Sequence, residues 1–106
     1  MKNKAVKIVI KATKSEIDAL IGNFGGFSEC AGFDQELIKV NQRNYENGTK
    51  FYFSEGVAVK VHSSLQAILD GLKYRNRSGS EFNAIITFKE SLSHEFTKQT
   101  GKQINT

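Results

Sequence analysis

The sequence contains a single cysteine, Cys30, and neither proline nor tryptophan among its 106 residues. One thiol excludes an internal disulfide and agrees with a reducing compartment. The longest strongly apolar runs, such as Ile8–Ile10, cover only a few residues, whereas a membrane-spanning helix needs about 20. No membrane span is therefore predicted. The lack of proline and tryptophan, beside many lysines and asparagines, agrees with an AT-rich coding genome such as that of a phage or mobile element.

Catalytic and metal-binding residue types are also scarce. The only histidines are His62 and His94, and nothing in their spacing brings either of them to Cys30. No Cys/His set has zinc-ligand spacing, and the glycine-rich run Gly22–Gly26 lacks the Gly-Lys-Ser/Thr ending of a phosphate-binding loop. The sequence therefore predicts no enzyme, no cofactor and no metal site.

The N-terminal stretch MKNKAVKIVIKAT has its apolar residues interrupted by Lys7 and Lys11. A secretory signal has an unbroken apolar segment, so the pattern favours a strand, and we expect a cytoplasmic protein. A chain of this length can bury about two thirds of its unfolded surface around one core. We predict one compact domain over residues 1–97 and a disordered tail over residues 98–106, where the composition is polar.

The clearest structural pattern covers residues 50–72. Apolar residues alternate over Phe51–Phe53 and again over Val57–Val61, which predicts a hairpin with one apolar face. A helix capped by Ser63 or Ser64 follows. Its apolar residues recur at i, i+3, i+4 and i+7, and they are Leu65, Ile68, Leu69 and Leu72.

The N-terminal part repeats this arrangement. Alternation over Val6–Ala12 predicts a strand, and Thr13 with Glu16 forms a capping box at the start of a helix. The apolar stripe of that helix consists of Ile17, Leu20, Ile21 and Phe24. Further strands are predicted at Glu36–Val40 and Phe82–Phe88. The order is then β-α-β-β-β-α-β, and we predict an α+β fold. It has a mainly antiparallel sheet of four to five strands with two helices on one face, ferredoxin-like or a variant.

In this fold the open face of the sheet is basic. The residues that would point outward include no acidic group, and they are Lys7, Val9, Lys11, Lys39, Lys50, Tyr52, Lys60, His62, Ile85, Thr87 and Lys89. The end of the second helix extends this face with Lys73, Arg75 and Arg77. Lysines pair with phosphates and aromatic rings stack on bases, so the face is a candidate nucleic-acid site. Tyr52 is its only aromatic residue, however, and lysines also keep an exposed antiparallel face soluble.

A second candidate surface is the glycine-rich segment 25–35, which has no periodicity. It carries Phe27, Cys30 and Phe33. A loop this apolar either packs its aromatic side chains into the core or presents them to a partner.

Three functions from different classes follow from these features. The preferred hypothesis is a non-enzymatic inhibitor or accessory factor that binds a protein partner, such as a host or defence complex targeted by a mobile element. The first alternative is a nucleic-acid-binding protein that uses the lysine-rich sheet face. The second alternative is a self-associating module, a homodimer that pairs through the open sheet face or an edge strand.

Overall fold

A computed structural model describes residues 7–23, 31–75 and 79–104, without the side chains of residues 31, 32 and 34. The elements are β1 (Ile8–Ala12), α1 (Lys14–Asn23), α2 (Ala31–Asn41), β2 (Thr49–Phe53), α3 (Glu55–Tyr74) and α4 (Ser80–Thr100). The strands β1 and β2 pair in an antiparallel sheet. The prediction of a four- to five-stranded sheet with two helices is therefore wrong, because the described chain is mostly helical and its sheet has two strands.

The predicted first strand and first helix are confirmed over the described residues, as β1 and α1. Val6 and Phe24, which the predictions included, lie outside those residues. The N–H of Glu16 donates to Thr13 Oγ1 at 3.2 Å, and the N–H of Thr13 donates to Glu16 Oε1 at 2.8 Å. This reciprocal capping box satisfies two backbone donors where α1 begins. Ile17 and Leu20 are fully buried on the inner side of α1.

The predicted hairpin is wrong in its second strand, because α3 already begins at Glu55. Ser54 caps this helix, and its Oγ accepts a hydrogen bond from the N–H of Val57 at 3.3 Å. Val61 is buried whereas Val59 is exposed, so the alternating valines do not share a face. The buried stripe is helical from its start and consists of Ala58, Val61, Leu65, Ile68, Leu69 and Leu72.

The predicted strand at Glu36–Val40 belongs to α2. Phe33, Leu37 and Val40 are buried, and their spacing of i, i+4 and i+7 is that of one helix face. Ile38, which the strand prediction counted as part of the apolar run, is exposed.

The predicted last strand at Phe82–Phe88 belongs to α4. The buried residues of this helix recur at helical spacing and are Ala84, Ile85, Phe88, Leu92 and Phe96. Ile85, predicted to point outward from a sheet, is completely buried. Helix α4 extends past Lys98 and ends at Gly101, which has a φ of 74°. Ile104 packs in the core, beyond residue 97, where we expected the compact domain to end.

The core lies between the inner face of the sheet and the helices. Helix α4 contacts β1, α1 and α3, whereas α3 also contacts β2. At the centre, the ring of Phe33 lies 5.2 Å from those of Phe51 and Phe53 and 6.2 Å from that of Phe88. Four aromatic rings from α2, β2 and α4 therefore hold the sheet against the helices.

The turn before β2 brings the chain close to the end of β1. The N–H of Gly48 donates to the carbonyl oxygen of Tyr45 at 2.9 Å, and Gly48 has a φ of +83°. A Cβ at this position would overlap the carbonyl oxygen of Ala12. Only glycine fits this left-handed conformation and this close approach without strain.

Candidate functional site

The solvent side of the two-stranded sheet gathers part of the predicted basic face. In the register of the strands, Lys11 lies opposite Lys50 and Val9 lies opposite Tyr52. Because side chains alternate along a strand, these residues project away from the core. Lys7, just before β1, places its Nζ 5.7 Å from the centroid of the Tyr52 ring. We call Lys7, Val9, Lys11, Lys50 and Tyr52 the outer sheet face.

Two features of the outer sheet face are unusual for a purely structural surface. Tyr52, the fourth of the five residues of β2, is 60% exposed. Lys11 and Lys50 are exposed like charges at directly opposite positions, and neither makes an ion pair with another described residue. Like charges opposite each other destabilise a strand pair. The face therefore combines an exposed aromatic ring with two lysines that make no ion pair with a described residue.

The remaining predicted basic residues that the structure describes lie on the helices or at their ends and not on the strands. Lys39 is on α2, where its Nζ lies 3.7 Å from Glu36 Oε2. The others belong to α3, to its C-terminal end or to α4, and they are Lys60, Lys73, Arg75 and Lys89. The structure thus divides the predicted face. Arg77, Phe27 and Cys30 lie outside the described residues.

His62 does not point to solvent from a strand, as the predicted fold required. It lies in α3 with 6% of its surface exposed, and its buried Nδ1 has no hydrogen-bond partner among the described residues. Burial, and secondarily the positive charge of Lys89, lowers the pKa of His62 from its usual value of about 6.5. The ring is therefore neutral at pH 7 and part of the interior.

Phe33 is also a core residue. It is 2% exposed and packs among the rings described above. Of the two interpretations of the apolar segment 25–35, packing into the core therefore holds for Phe33.

A groove runs along the edge of β1 that does not face β2. It has a volume of about 520 Å³ and opens to solvent between β1 and α4. The strand contributes Val9–Lys11, and the helix contributes Thr87, Glu90, Ser91, His94 and Glu95. We call this the edge groove. Within the described residues, no second strand pairs with β1 on this side.

The carboxylates of the edge groove differ from those of Asp18 and Glu55. Asp18 accepts hydrogen bonds from Lys14 Nζ at 2.9 Å and from the Tyr45 hydroxyl at 2.7 Å, and these two bonds lower the pKa of Asp18. Glu55 pairs with Lys102 at 2.6 Å. Glu90 and Glu95 make no hydrogen bond or ion pair with any described residue. The edge groove thus presents two carboxylates that no described residue pairs with.

No protein-family model, curated protein or solved structure matches the chain. In the part of the chain that the structure describes, no three His, Cys, Asp or Glu side chains are grouped to hold a metal ion. None of the helices described is long and apolar enough to cross a membrane.

Sequence reasoning identified the five residues of the outer sheet face but missed the edge groove. Its acidic residues lie on α4, after the segment Phe82–Phe88 that we predicted as a strand. The signal was nevertheless present, because Ile85, Phe88, Leu92 and Phe96 recur at helical spacing. Continued along that helix, this period would have placed Glu90 opposite the apolar stripe and Glu95 at the border of the stripe, in agreement with an exposed Glu90 and a half-buried Glu95.

Proposed function

We propose that the protein is a non-enzymatic inhibitor or accessory factor whose outer sheet face binds an acidic surface of a partner protein. The observation that carries this proposal is the cross-strand pair Lys11 and Lys50. Their repulsion opposes folding, and neither lysine makes an ion pair with a described acidic residue. A carboxylate placed between them by a partner would replace repulsion by attraction, so the free energy that the sheet loses in isolation is recovered on binding.

The apolar part of the outer sheet face supports a protein partner. Tyr52 lies opposite Val9, and the lysines surround this pair. Protein interfaces commonly combine an aromatic anchor with a charged rim. Tyrosine is well suited to this role, since it contributes a large contact area for the loss of few side-chain rotations.

Nucleic acid is the second candidate ligand, and the observation that favours it is the grouping of Lys7, Lys11 and Lys50 around Tyr52. Phosphates and one stacked base would fit this arrangement. One feature favours protein instead. Within the described residues the platform is two strands wide and carries one exposed aromatic ring, whereas stacking platforms for nucleic acid commonly have two or three.

The proposal is tested by affinity capture from nuclease-treated lysate of the source cells. The immobilised proteins are the wild type, Lys50→Glu, Tyr52→Ser and a matched control, Lys73→Glu, which makes the same charge change on an exposed position of α3. We expect a protein retained by the wild type and by Lys73→Glu but lost with Lys50→Glu and with Tyr52→Ser. Equal retention by all four variants would contradict the proposal.

The nucleic-acid alternative is measured separately by fluorescence anisotropy. Labelled random single-stranded DNA, RNA and duplex are titrated at about 50 and about 200 mM salt, because phosphate contacts weaken steeply over this range. Salt-sensitive binding that Lys50→Glu abolishes and Lys73→Glu preserves would favour nucleic acid over a protein partner. Absence of binding at the lower salt concentration would remove this alternative.

A further inference from the structure

We propose that the free edge of β1 accepts an extended segment of the partner protein as a third strand. In this strand, basic side chains alternate with acidic ones, and the basic side chains face α4. The inference rests on the proposed function and deepens it, because it specifies the chemistry of the partner segment that reaches the sheet.

The backbone of β1 provides the first requirement. In an antiparallel pair, every second residue of a strand directs its N–H and C=O groups away from its neighbour. Within the described residues β1 pairs with β2 alone, so these groups point into the edge groove. A strand added there would lie about 4.8 Å from β1, and the groove is open to solvent along Val9–Lys11.

The floor of the edge groove selects the side chains on one face of the added strand. Glu90 is exposed and Glu95 is half-buried on the side of α4 that lines the groove. Both carboxylates are unpaired within the described chain, in contrast to Asp18, which binds Lys14 and Tyr45. Lysine or arginine side chains directed toward α4 would pair with these carboxylates, and the partial enclosure strengthens such pairs.

The outer sheet face selects the side chains on the other face of the same strand. Residues that project outward from a third strand would lie beside Lys7 and Lys11, which project outward around β1. Opposite charges at adjacent cross-strand positions stabilise a sheet and like charges destabilise it. Acidic residues are therefore favoured on this side. The expected pattern has a period of two, with one sign of charge on each face.

A second copy of the chain fits the groove poorly. In an antiparallel pairing of two β1 strands centred on Val9, Lys7 of one copy would lie opposite Lys11 of the other, which is repulsive. The inward residues of the second strand would be Ile8 and Ile10, which leave the carboxylates of α4 unpaired. Charge complementarity thus favours a foreign segment with alternating charges.

The test uses three labelled peptides of the same composition with the full-length protein. The first is an eight-residue peptide in which lysine and glutamate alternate, and the second has four lysines followed by four glutamates. The third is the alternating peptide with every second backbone nitrogen methylated, which removes strand donors without changing charge. Binding is measured by anisotropy, and hydrogen exchange of the Ile8–Ala12 amides is measured by NMR.

We expect the alternating peptide to bind at least about fivefold more tightly than the other two and to protect alternate amides of β1 from exchange. The double variant Glu90→Lys/Glu95→Lys should lower the affinity for the alternating peptide about tenfold, because two attractive charge pairs become repulsive. The matched control is Glu46→Lys/Asp70→Lys, which makes the same charge change at exposed positions outside the edge groove. It should change the affinity less than twofold.

The inference is wrong if no peptide binds, if the block and alternating peptides bind equally, or if protection lies outside β1. It is also wrong if β1 amides are already protected without peptide in a dimer seen by sedimentation, because a second copy then occupies the edge. These failures differ from failure of the proposed function. Capture of a partner that Lys50→Glu abolishes, without any effect of the peptides on β1, would refute the added strand and leave the proposed function standing.

Discussion

Replacement of Phe33 tests the architecture directly, because sequence reasoning offered this residue both as a partner contact and as a core residue. In the structure Phe33 is 2% exposed, and its ring lies 5.2 Å from two phenylalanine rings of β2 and 6.2 Å from that of Phe88. Truncating a buried phenylalanine to alanine removes its apolar contacts and leaves a cavity. Such changes cost about 3–5 kcal/mol of unfolding free energy.

For a domain of this length, 1 kcal/mol corresponds to about 4–5 °C in Tm. Phe33→Ala should therefore lower Tm by about 12–25 °C. Tm is measured by circular dichroism at 222 nm, and the unfolding free energy is measured by urea unfolding at 25 °C. Phe33→Leu, which fills part of the cavity, should cost about 1–2 kcal/mol and keeps the measurement possible if the alanine variant is unfolded.

Ile38 provides the matched control in the same helix, since it is 53% exposed. Ile38→Ala should change the unfolding free energy by less than about 0.5 kcal/mol. The reasoning would be refuted if Phe33→Ala retained the stability of the wild type, and in particular if it lost partner binding while its Tm was unchanged. Phe33 would then be a surface contact and the aromatic core described here would be wrong.

Three further predictions concern pH, backbone geometry and capping. Burial lowers the pKa of His62, so the unfolded state binds the proton more tightly. The stability that His62 contributes should be fully present above about pH 6.5 and fall as the pH is lowered below that value. Urea midpoints should show a smaller loss at low pH in His62→Leu than in the wild type. Gly48→Ala should lower the unfolding free energy by about 2–3 kcal/mol, because the φ of Gly48 is +83°. Gly71→Ala, in the interior of α3, should raise the unfolding free energy by about 0.5–1 kcal/mol. Equal effects of the two substitutions in thermal unfolding would contradict this prediction. Thr13→Ala should lower the unfolding free energy by about 1 kcal/mol, because the capping box is lost. Thr13→Ser keeps the hydroxyl and should retain most of this stability. An unchanged helix content and Tm in Thr13→Ala would argue against the cap.

The elements that sequence reasoning predicted correctly are those whose signals are local. The hydroxyl and carboxylate of the Thr13–Glu16 box act within four residues, and the strand before it alternates cleanly. Strand β2 was predicted from Phe51–Phe53 in the same way. The stripe from Leu65 to Leu72 has the helical period and is buried as predicted.

The errors arose where a short apolar run fits two periods. Val57, Val59 and Val61 alternate, yet Val61 also belongs to the stripe that continues through Leu65. In Phe82–Phe88, the alternating interpretation placed Ile85 outside, whereas the contacts of α4 bury it. β-branched residues favour strands only weakly, and packing of distant elements overrides that preference. The edge groove was missed for the same reason, since it exists only because α4 lies beside β1.

The central position of α4 also determines how the chain acquires its structure. This helix packs on β1 and α1 as well as on its neighbour α3, so the first strand is completed by contacts with residues more than 70 positions later in the chain. Contacts of such long range form slowly, because a large loop must close before they stabilise anything. During synthesis, the segment from β1 to α3 therefore leaves the ribosome before the helix that covers its apolar side chains. Folding should occur as one late cooperative step, and until then the unpaired edge of β1 is open to any strand nearby.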